Sequence, residues 1–448
     1  MLELLSSGLL SLWLNMAKFP DPLRSTVELA TAQDVPWGAF PNQVDAEAEA
    51  LMGQYLNTLS AQGLDVGQQG VWLQSGFQSL AGNLATTPLP AASITKVATS
   101  LSALKTWEPD HQFVTLVSAT GPIENGVLQG DLVVQGGGDP LFVWEEAIAV
   151  ANDLNRLGIE KVTGNLVISG NLLMNFETNP QKAGELLKQA LNSKAWPQEA
   201  EAQYHSMPQG TPRPQVEIAG SVQPLAYGTS LLPDQTPLVR HRSLPLIQII
   251  KLMNIYSNNV IAEALATLQG GGAVVAQKAA EAAGVPASEI LLANGSGLGM
   301  ENRISPRAAT ALFAALQRYM LARNQTIADI FPISGADEGS IEGRNIPTTA
   351  VVKTGTLNQV SALVGVVPTR DRGLVWFAIM NRGTDLEGLR RQQDMFLQTL
   401  IKKWGSPRES PIAISPTNSI HRAAKVLGDG DRNELVQSAV EANTYSGS

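Results

Sequence analysis

Ala91-Ala92-Ser93-Ile94-Thr95-Lys96, followed by the small and apolar run to Lys105, is the stretch on which the reading of this chain turns. Ser93 and Lys96 stand three residues apart. On a helix that begins near Ile94 they share a face, and the lysine amine can reach the serine oxygen. A serine hydroxyl is a weak nucleophile until a base takes its proton, and a lysine becomes that base once burial or a second cation depresses its pKa. A serine at a helix start also gains from the local backbone amides and the positive end of the helix dipole, which favour developing negative charge. S-x-x-K alone has a second reading, a capping serine beside a solvated lysine. The choice rests on what lies further along the chain.

Two more polar groups follow in order. Ser257-x-Asn259 lies at the end of a helix opened by Ser243-Leu244-Pro245, with serine as cap and proline in the first turn. Leu246, Ile249, Ile250 and Met253 form one apolar face of that helix, and a second helix begins near Val260. Lys353-Thr354-Gly355-Thr356 ends a strand from Ala350, and the apolar runs Val360 to Val367 and Leu374 to Met380 come next, short-linked and so antiparallel neighbours. Ser-x-x-Lys, Ser-x-Asn and Lys-Thr-Gly in this order are the motif set of class A β-lactamases and penicillin-binding proteins.

Composition removes other chemistries. The 448 residues suffice for two or three domains. With 44% hydrophobic and 16% charged residues the chain is an ordinary globular one, and a net charge of −9 without clustered Lys and Arg argues against a nucleic-acid partner. There is no cysteine, hence no disulfide, thiolate metal site or cysteine nucleophile; compartment stays open on this ground. His111, His205, His241 and His421 lack ligand spacing, so neither a metal nor another cofactor is expected. No G-x-S-x-G elbow occurs, so a Ser-His-Asp hydrolase of the α/β type has little support, and if this is a serine enzyme its base is not histidine.

The remaining chain divides as follows. Leu2 to Leu14 is apolar but too short to span a membrane and poor as a signal peptide. Four prolines between Ala17 and Asn42 mark a linker, so residues 1–42 are read as an N-terminal segment. Asp45 to Ser60 places Leu51, Tyr55, Leu56 and Leu59 on one helical stripe, and Gly70 to Gln74 is a strand that turns at Ser75 to Gln78. Residues 121–227 read as a separate unit of alternating strand and helix, in which Gly136-Gly137-Gly138-Asp139-Pro140 is a tight turn rather than a phosphate cradle and Ala202 to Pro214 a mobile loop. Asp385 to Trp404 is a closing helix with Lys402 and Lys403 in its last turn and Gly405 beyond. The polar, Pro/Ser-rich residues 406–448 read as a disordered tail.

From Asp45 to Trp404 the chain resembles the penicillin-binding D-Ala-D-Ala carboxypeptidase/endopeptidase family, serine peptidases with a domain inserted between the first two motifs. Beyond the trio, Gly136 to Pro140 is similar to that family's insert signature. Asn294-Gly295-Ser296-Gly297-Leu298 is similar to its D-G-S-G-L loop, and Ser334-Gly335-Ala336-Asp337-Glu338-Gly339-Ser340 to its G-x-D-G-T segment. The resemblance implies an α+β fold: a β-lactamase/transpeptidase-like domain over 43–120 and 228–405, with an antiparallel sheet flanked by helices and a helical cluster, and a smaller mixed α/β insert. It implies that Ser93 attacks the carbonyl between two D-alanines to form an acyl-enzyme, with Lys96 as base. Ser257 would pass a proton to the leaving amine, Asn259 would hold the substrate amide and Lys96, and Lys353 would supply positive potential. Thr354 and Thr356, about Gly355, would bind the terminal carboxylate, with the N–H groups of Ser93 and Thr356 as oxyanion hole. Two lysines in one cleft also give a reason for a low Lys96 pKa.

Peptidoglycan peptides and β-lactams are then the partners, an extracytoplasmic, periplasmic location follows from the substrate, and no integral span is expected. Alternatives stay open: a β-lactamase or esterase of the same fold, or a non-catalytic peptidoglycan-binding scaffold. Tyr256-Ser257-Asn258 also matches the Y-x-N of class C β-lactamases; the Ser257/Asn259 register is preferred because the insert signature accompanies it. Asn294 stands where the family has Asp, Glu338 is an additional residue, and the insert is smaller than many relatives carry. Oligomeric state and carboxypeptidase against endopeptidase preference are not written in the motifs.

Overall fold

The computed structural model describes residues 45–76, 78–226, 235–417 and 427–436. The Leu2 to Leu14 segment and the linker to 42 lie outside them. The described residues form two compact units, one of residues 45–108 and 250–417, the other of 109–226, 235–249 and 427–436.

The first unit is built on a five-stranded antiparallel sheet in the order Val351–Leu357, Val360–Thr369, Gly373–Arg382, Gly70–Ser75, Gln78–Asn83. The central strands read as unbroken apolar runs because both faces are covered. Val375, Phe377 and Ile379 pack under the helices Ala46–Ala61 and Leu386–Trp404, with Met52, Tyr55, Leu59, Phe396, Leu397, Leu400 and Trp404 in the same core. Trp376 faces the other way, where its ring lies 6.4 Å from Phe313 of the helix Pro306–Leu321. Asp45 caps the first helix by accepting the Ala48 N–H at 3.0 Å, and Ser305 caps the Pro306 helix by accepting the Ala308 N–H. The helix expected from Ser243 begins at Leu246. Ser243 is not its cap, since its hydroxyl accepts the Phe113 N–H and donates to the Leu244 carbonyl.

The second unit holds a mixed six-stranded sheet in the order Val222–Pro224, Leu166–Asn171, Leu132–Gly137, Val114–Ala119, Thr236–Arg242, Asn433–Leu435. Its core gathers Val117, Val134, Ile168 and Val239 with Ala147, Val150 and Leu154 of the helix Trp144–Arg156. The triple glycine does more than turn. Gly136 and Gly137 are the end of a strand pressed between its neighbours, where an added Cβ would lie 2.4 Å from Leu172 Cα and 2.2 Å from the Val114 carbonyl oxygen, and only Gly138, at φ +93°, makes the turn.

Three boundaries depart from the sequence reading. Val114–Ala119 and Thr236–Arg242 pair with each other, so the second unit begins at 109 and runs to 249 instead of occupying 121–227. The segment 202–214 is pinned: the Arg213 guanidinium sits 4.5 Å over the Tyr204 ring and pairs with Glu201. Parts of the supposed tail are ordered and used. Thr417 N–H donates to Asp329 at 2.8 Å in the first unit. In the second, Asn433–Leu435 adds a strand to Thr236–Arg242, Arg432 pairs with buried Glu146 at 2.6 Å, and Asn433 meets His241 at 2.7 Å and Asp153 at 2.5 Å. A composition that suggests a solvated tail here supplies partners to buried charges.

Trp404 is 1% exposed and its indole N–H donates to Glu47 at 2.9 Å, joining the last helix of the first unit to the first. Trp404→Ala should lower stability by about 3–5 kcal/mol, read as a shift of the urea midpoint followed by circular dichroism.

Candidate active site

Ser93 lies in a single 3-10 turn, Ala92–Ile94, that runs directly into the helix Thr95–Thr106. Ala92 is held at φ +47°, a left-handed backbone that costs a residue with a Cβ. Two glycines let the neighbouring chain close on this turn. A Cβ on Gly297 would stand 1.8 Å from the Ala92 carbonyl oxygen, and one on Gly355 would stand 2.9 Å from the Ala91 oxygen and 3.1 Å from the Ser93 nitrogen. The Gly-Ser-Gly loop and the Lys-Thr-Gly strand thus press on the turn. Ser93 itself stays half-buried and reachable.

Lys96, one turn along, is fully buried. Its Nζ lies 2.8 Å from Ser93 Oγ, 2.7 Å from Asn259 Oδ1 and 2.8 Å from the Ser296 carbonyl oxygen. Burial brings its pKa down to about 7, against the opposing pull of Glu263. Asn258 and Asn259 divide two tasks. Asn258 caps the helix Asn259–Leu268 by accepting the Ile261 N–H at 3.1 Å, and Asn259 reaches Lys96. Of the two registers open in the sequence, Ser257/Asn259 is the one that meets the lysine.

Ser257 occupies the turn between helices at φ +53°, and Lys353 Nζ donates to its Oγ at 3.0 Å and to the Thr354 carbonyl at 2.9 Å. Lys353 is also fully buried; burial first, and Lys96 second, hold it well below the ordinary lysine range. Further along the strand Thr354 is buried and Thr356 exposed. All eight residues singled out in the sequence therefore fall within one unit, and the three motifs meet through hydrogen bonds.

Two departures from the family pattern resolve locally. Asn294 uses both ends of its amide, accepting the Gly297 N–H at 2.9 Å and donating to the Leu298 carbonyl at 2.7 Å; an ionised aspartate could only accept. Asp337 is the anchored acid of its segment, pairing with Lys251 at 2.8 Å and accepting the Ile333 N–H, whereas the additional Glu338 is exposed.

Sequence reasoning missed two side chains. Glu263 accepts the N–H groups of Gly295 and Ser296 at 3.1 and 2.9 Å, and so holds the loop whose carbonyl meets Lys96. Its i+4 spacing from Asn259 was the available signal. Arg390, from the closing helix, donates to Thr356 Oγ1 at 2.9 Å; one of two adjacent arginines on a partly exposed helix carries no such signal. Among the described residues no His/Asp/Glu group is arranged to hold a metal ion, and no helix is long and apolar enough to cross a membrane.

The model of the D-Ala-D-Ala carboxypeptidase 3 (S13) family matches residues 67–189 and 218–402. Among curated proteins the chain is similar to D-alanyl-D-alanine carboxypeptidase DacB of Haemophilus influenzae, 25% identical over 394 residues that cover 66% of this chain and 81% of that protein. It is also similar to carboxypeptidase DacB of Mycolicibacterium smegmatis, 23% identical over 68% of this chain and 74% of that one. Two solved structures share the fold. One is the penicillin G-acylated predatory endopeptidase Bd3459 of Bdellovibrio bacteriovorus with its immunity protein, at TM-score 0.66 and 23% identity over 76% of this chain and 94% of that one. The other is penicillin-binding protein 4 of Haemophilus influenzae, at TM-score 0.60 and 19% identity over 79% and 99%. Since the family match runs through well over half of the residues, the chain belongs to the D-Ala-D-Ala carboxypeptidase 3 (S13) family, and it is a serine-type DD-carboxypeptidase hydrolase of α+β, transpeptidase-like fold.

Proposed function

We propose that this enzyme cleaves the D-Ala-D-Ala bond of peptidoglycan stem peptides through an acyl-enzyme on Ser93, with neutral Lys96 as the base, and that β-lactams acylate the same oxygen. One observation carries the reading: the partners around Lys96 Nζ. Asn259 Oδ1 and the Ser296 carbonyl can only accept hydrogen bonds. A neutral amine has two N–H groups to give them and one lone pair left to accept from the Ser93 hydroxyl, whose oxygen lies 2.8 Å away. The low pKa makes this state available. A lysine of ordinary pKa would be neutral in only about 4 molecules in 10,000 at pH 7, while one at about 7 is neutral in roughly half.

In this scheme Ser93 Oγ bonds to the carbonyl carbon as its proton passes to Lys96. Lys353 donates to Ser257, whose hydroxyl delivers a proton to the departing D-Ala nitrogen as the peptide bond breaks. The N–H groups of Ser93 and Thr356 hold the oxyanion, each worth about 3 kcal/mol. Water then releases the acyl group. The same enzyme acting on D-Ala cross-links would be an endopeptidase, the activity named for the Bdellovibrio protein. That protein's acylation by penicillin G supports β-lactam capture here, and a peptidoglycan substrate puts the work outside the cytoplasmic membrane.

Intact-protein mass spectrometry after incubation with benzylpenicillin tests the nucleophile. Wild type should gain one drug mass and Ser93→Ala none. A wild type that neither gains mass nor degrades the drug would favour a binding scaffold, and degradation without adduct a β-lactamase. The acylation rate should climb with pH through a midpoint near 7 and level above it, because only neutral Lys96 takes the proton. Glu263→Gln removes the charge that raises the Lys96 pKa, so the limb should move to lower pH; a limb that stays in place or moves up would separate the profile from Lys96.

A further inference from the structure

A substrate that ends in a free carboxylate needs a counter-charge, and the two lysines of the site are poorly suited to give it. Both are fully buried and held below the ordinary lysine range. A guanidinium keeps its charge at any working pH. Arg390 brings one to the exposed end of the Lys-Thr-Gly-Thr strand: Nη2 donates to Thr356 Oγ1 at 2.9 Å, and Nη1 pairs with Glu387 one turn earlier on the same helix.

The contact with Thr356 has a direction. A threonine oxygen accepts and donates, and with Arg390 on an acceptor site the hydroxyl proton is free to point away from the guanidinium. A carboxylate that accepts this proton then has the positive group as its next neighbour. Arg390 is about 29% exposed and its partner Glu387 about 68%. An exposed pair of this kind is worth little, so an incoming carboxylate displaces or shares it at small cost, while Thr356 keeps the guanidinium in place.

Building on the D-Ala-D-Ala reading, we infer that Arg390 is a specificity-determining residue of this site: its guanidinium, oriented by Thr356, takes the free terminal carboxylate of the peptide and sets the preference for substrates that end in D-alanine over those whose terminus is blocked.

The test compares an N-acylated D-Ala-D-Ala peptide with its C-terminal carboxamide on purified full-length enzyme. In wild type the free acid should be preferred. In Arg390→Gln, kcat/KM for the acid should fall by roughly 10- to 100-fold, the range of one charged hydrogen bond, mostly through KM, with the carboxamide unchanged within about twofold. Arg390→Lys should restore part of the preference, and Glu387→Gln, which removes the competing carboxylate, should increase it. An equal loss on both peptides would mark Arg390 as merely structural and overturn the inference, as would an unchanged ratio. A wild type that cleaves neither peptide and forms no penicillin adduct overturns the underlying reading and this inference with it; cleavage of both peptides without preference sinks the inference alone.

Discussion

The amine of Lys96 is the constraint around which the site is arranged. It is cut off from water and ringed by a hydroxyl, an amide oxygen and a backbone carbonyl that come from three distant parts of the chain. None of these neighbours is a carboxylate, so nothing in contact favours the charged form enough to offset burial. Glu263 attends to the loop N–H groups and acts on Lys96 only from a distance. Had the acid contacted the lysine, it would have favoured the charged form and raised the pKa. The same economy applies to Lys353, whose partners are a hydroxyl and a carbonyl.

Placing these groups requires backbone that most sequences avoid. Ala92 and Ser257, the residue before Ser93 and the serine of the second motif, both sit at positive φ. Such conformations persist when the surroundings fix them. Here the fixing contacts are the close approaches at Gly297 and Gly355 and the N-cap formed by Asn258. The glycines of the motifs are thus explained by space, since a methyl group at either would collide with the chain on the other side of Ser93.

The sequence was informative where chemistry and local structure coincide. Ser93, Lys96, Ser257, Asn259 and Lys353 were legible because each motif combines a fixed spacing with a helix start, a turn or a strand end. The apolar strands were legible as strands, although continuous burial on both faces removed the alternation that would have given their orientation. What stayed hidden depended on long-range pairing. The second unit's true limits follow from Val114–Ala119 meeting Thr236–Arg242, and neither strand announces its partner. Arg390 and the segment at 427–436 look like solvated surface in one dimension because their partners, Thr356 and Glu146, are far away in sequence.

The strand Asn433–Leu435 gives the second unit a timetable. Arg240 and Glu434, opposite each other on neighbouring strands, are 194 residues apart, and the whole second half of the first unit is made between them. At about 5–20 residues per second that interval is roughly 10–40 s. Without Asn433–Leu435 the strand Thr236–Arg242 has an open sheet edge that can pair with another chain, and Glu146 lacks Arg432. The strand Asn433–Leu435 therefore completes a domain whose first strand, Val114–Ala119, lies more than three hundred residues earlier, and until it docks that edge is available to another chain.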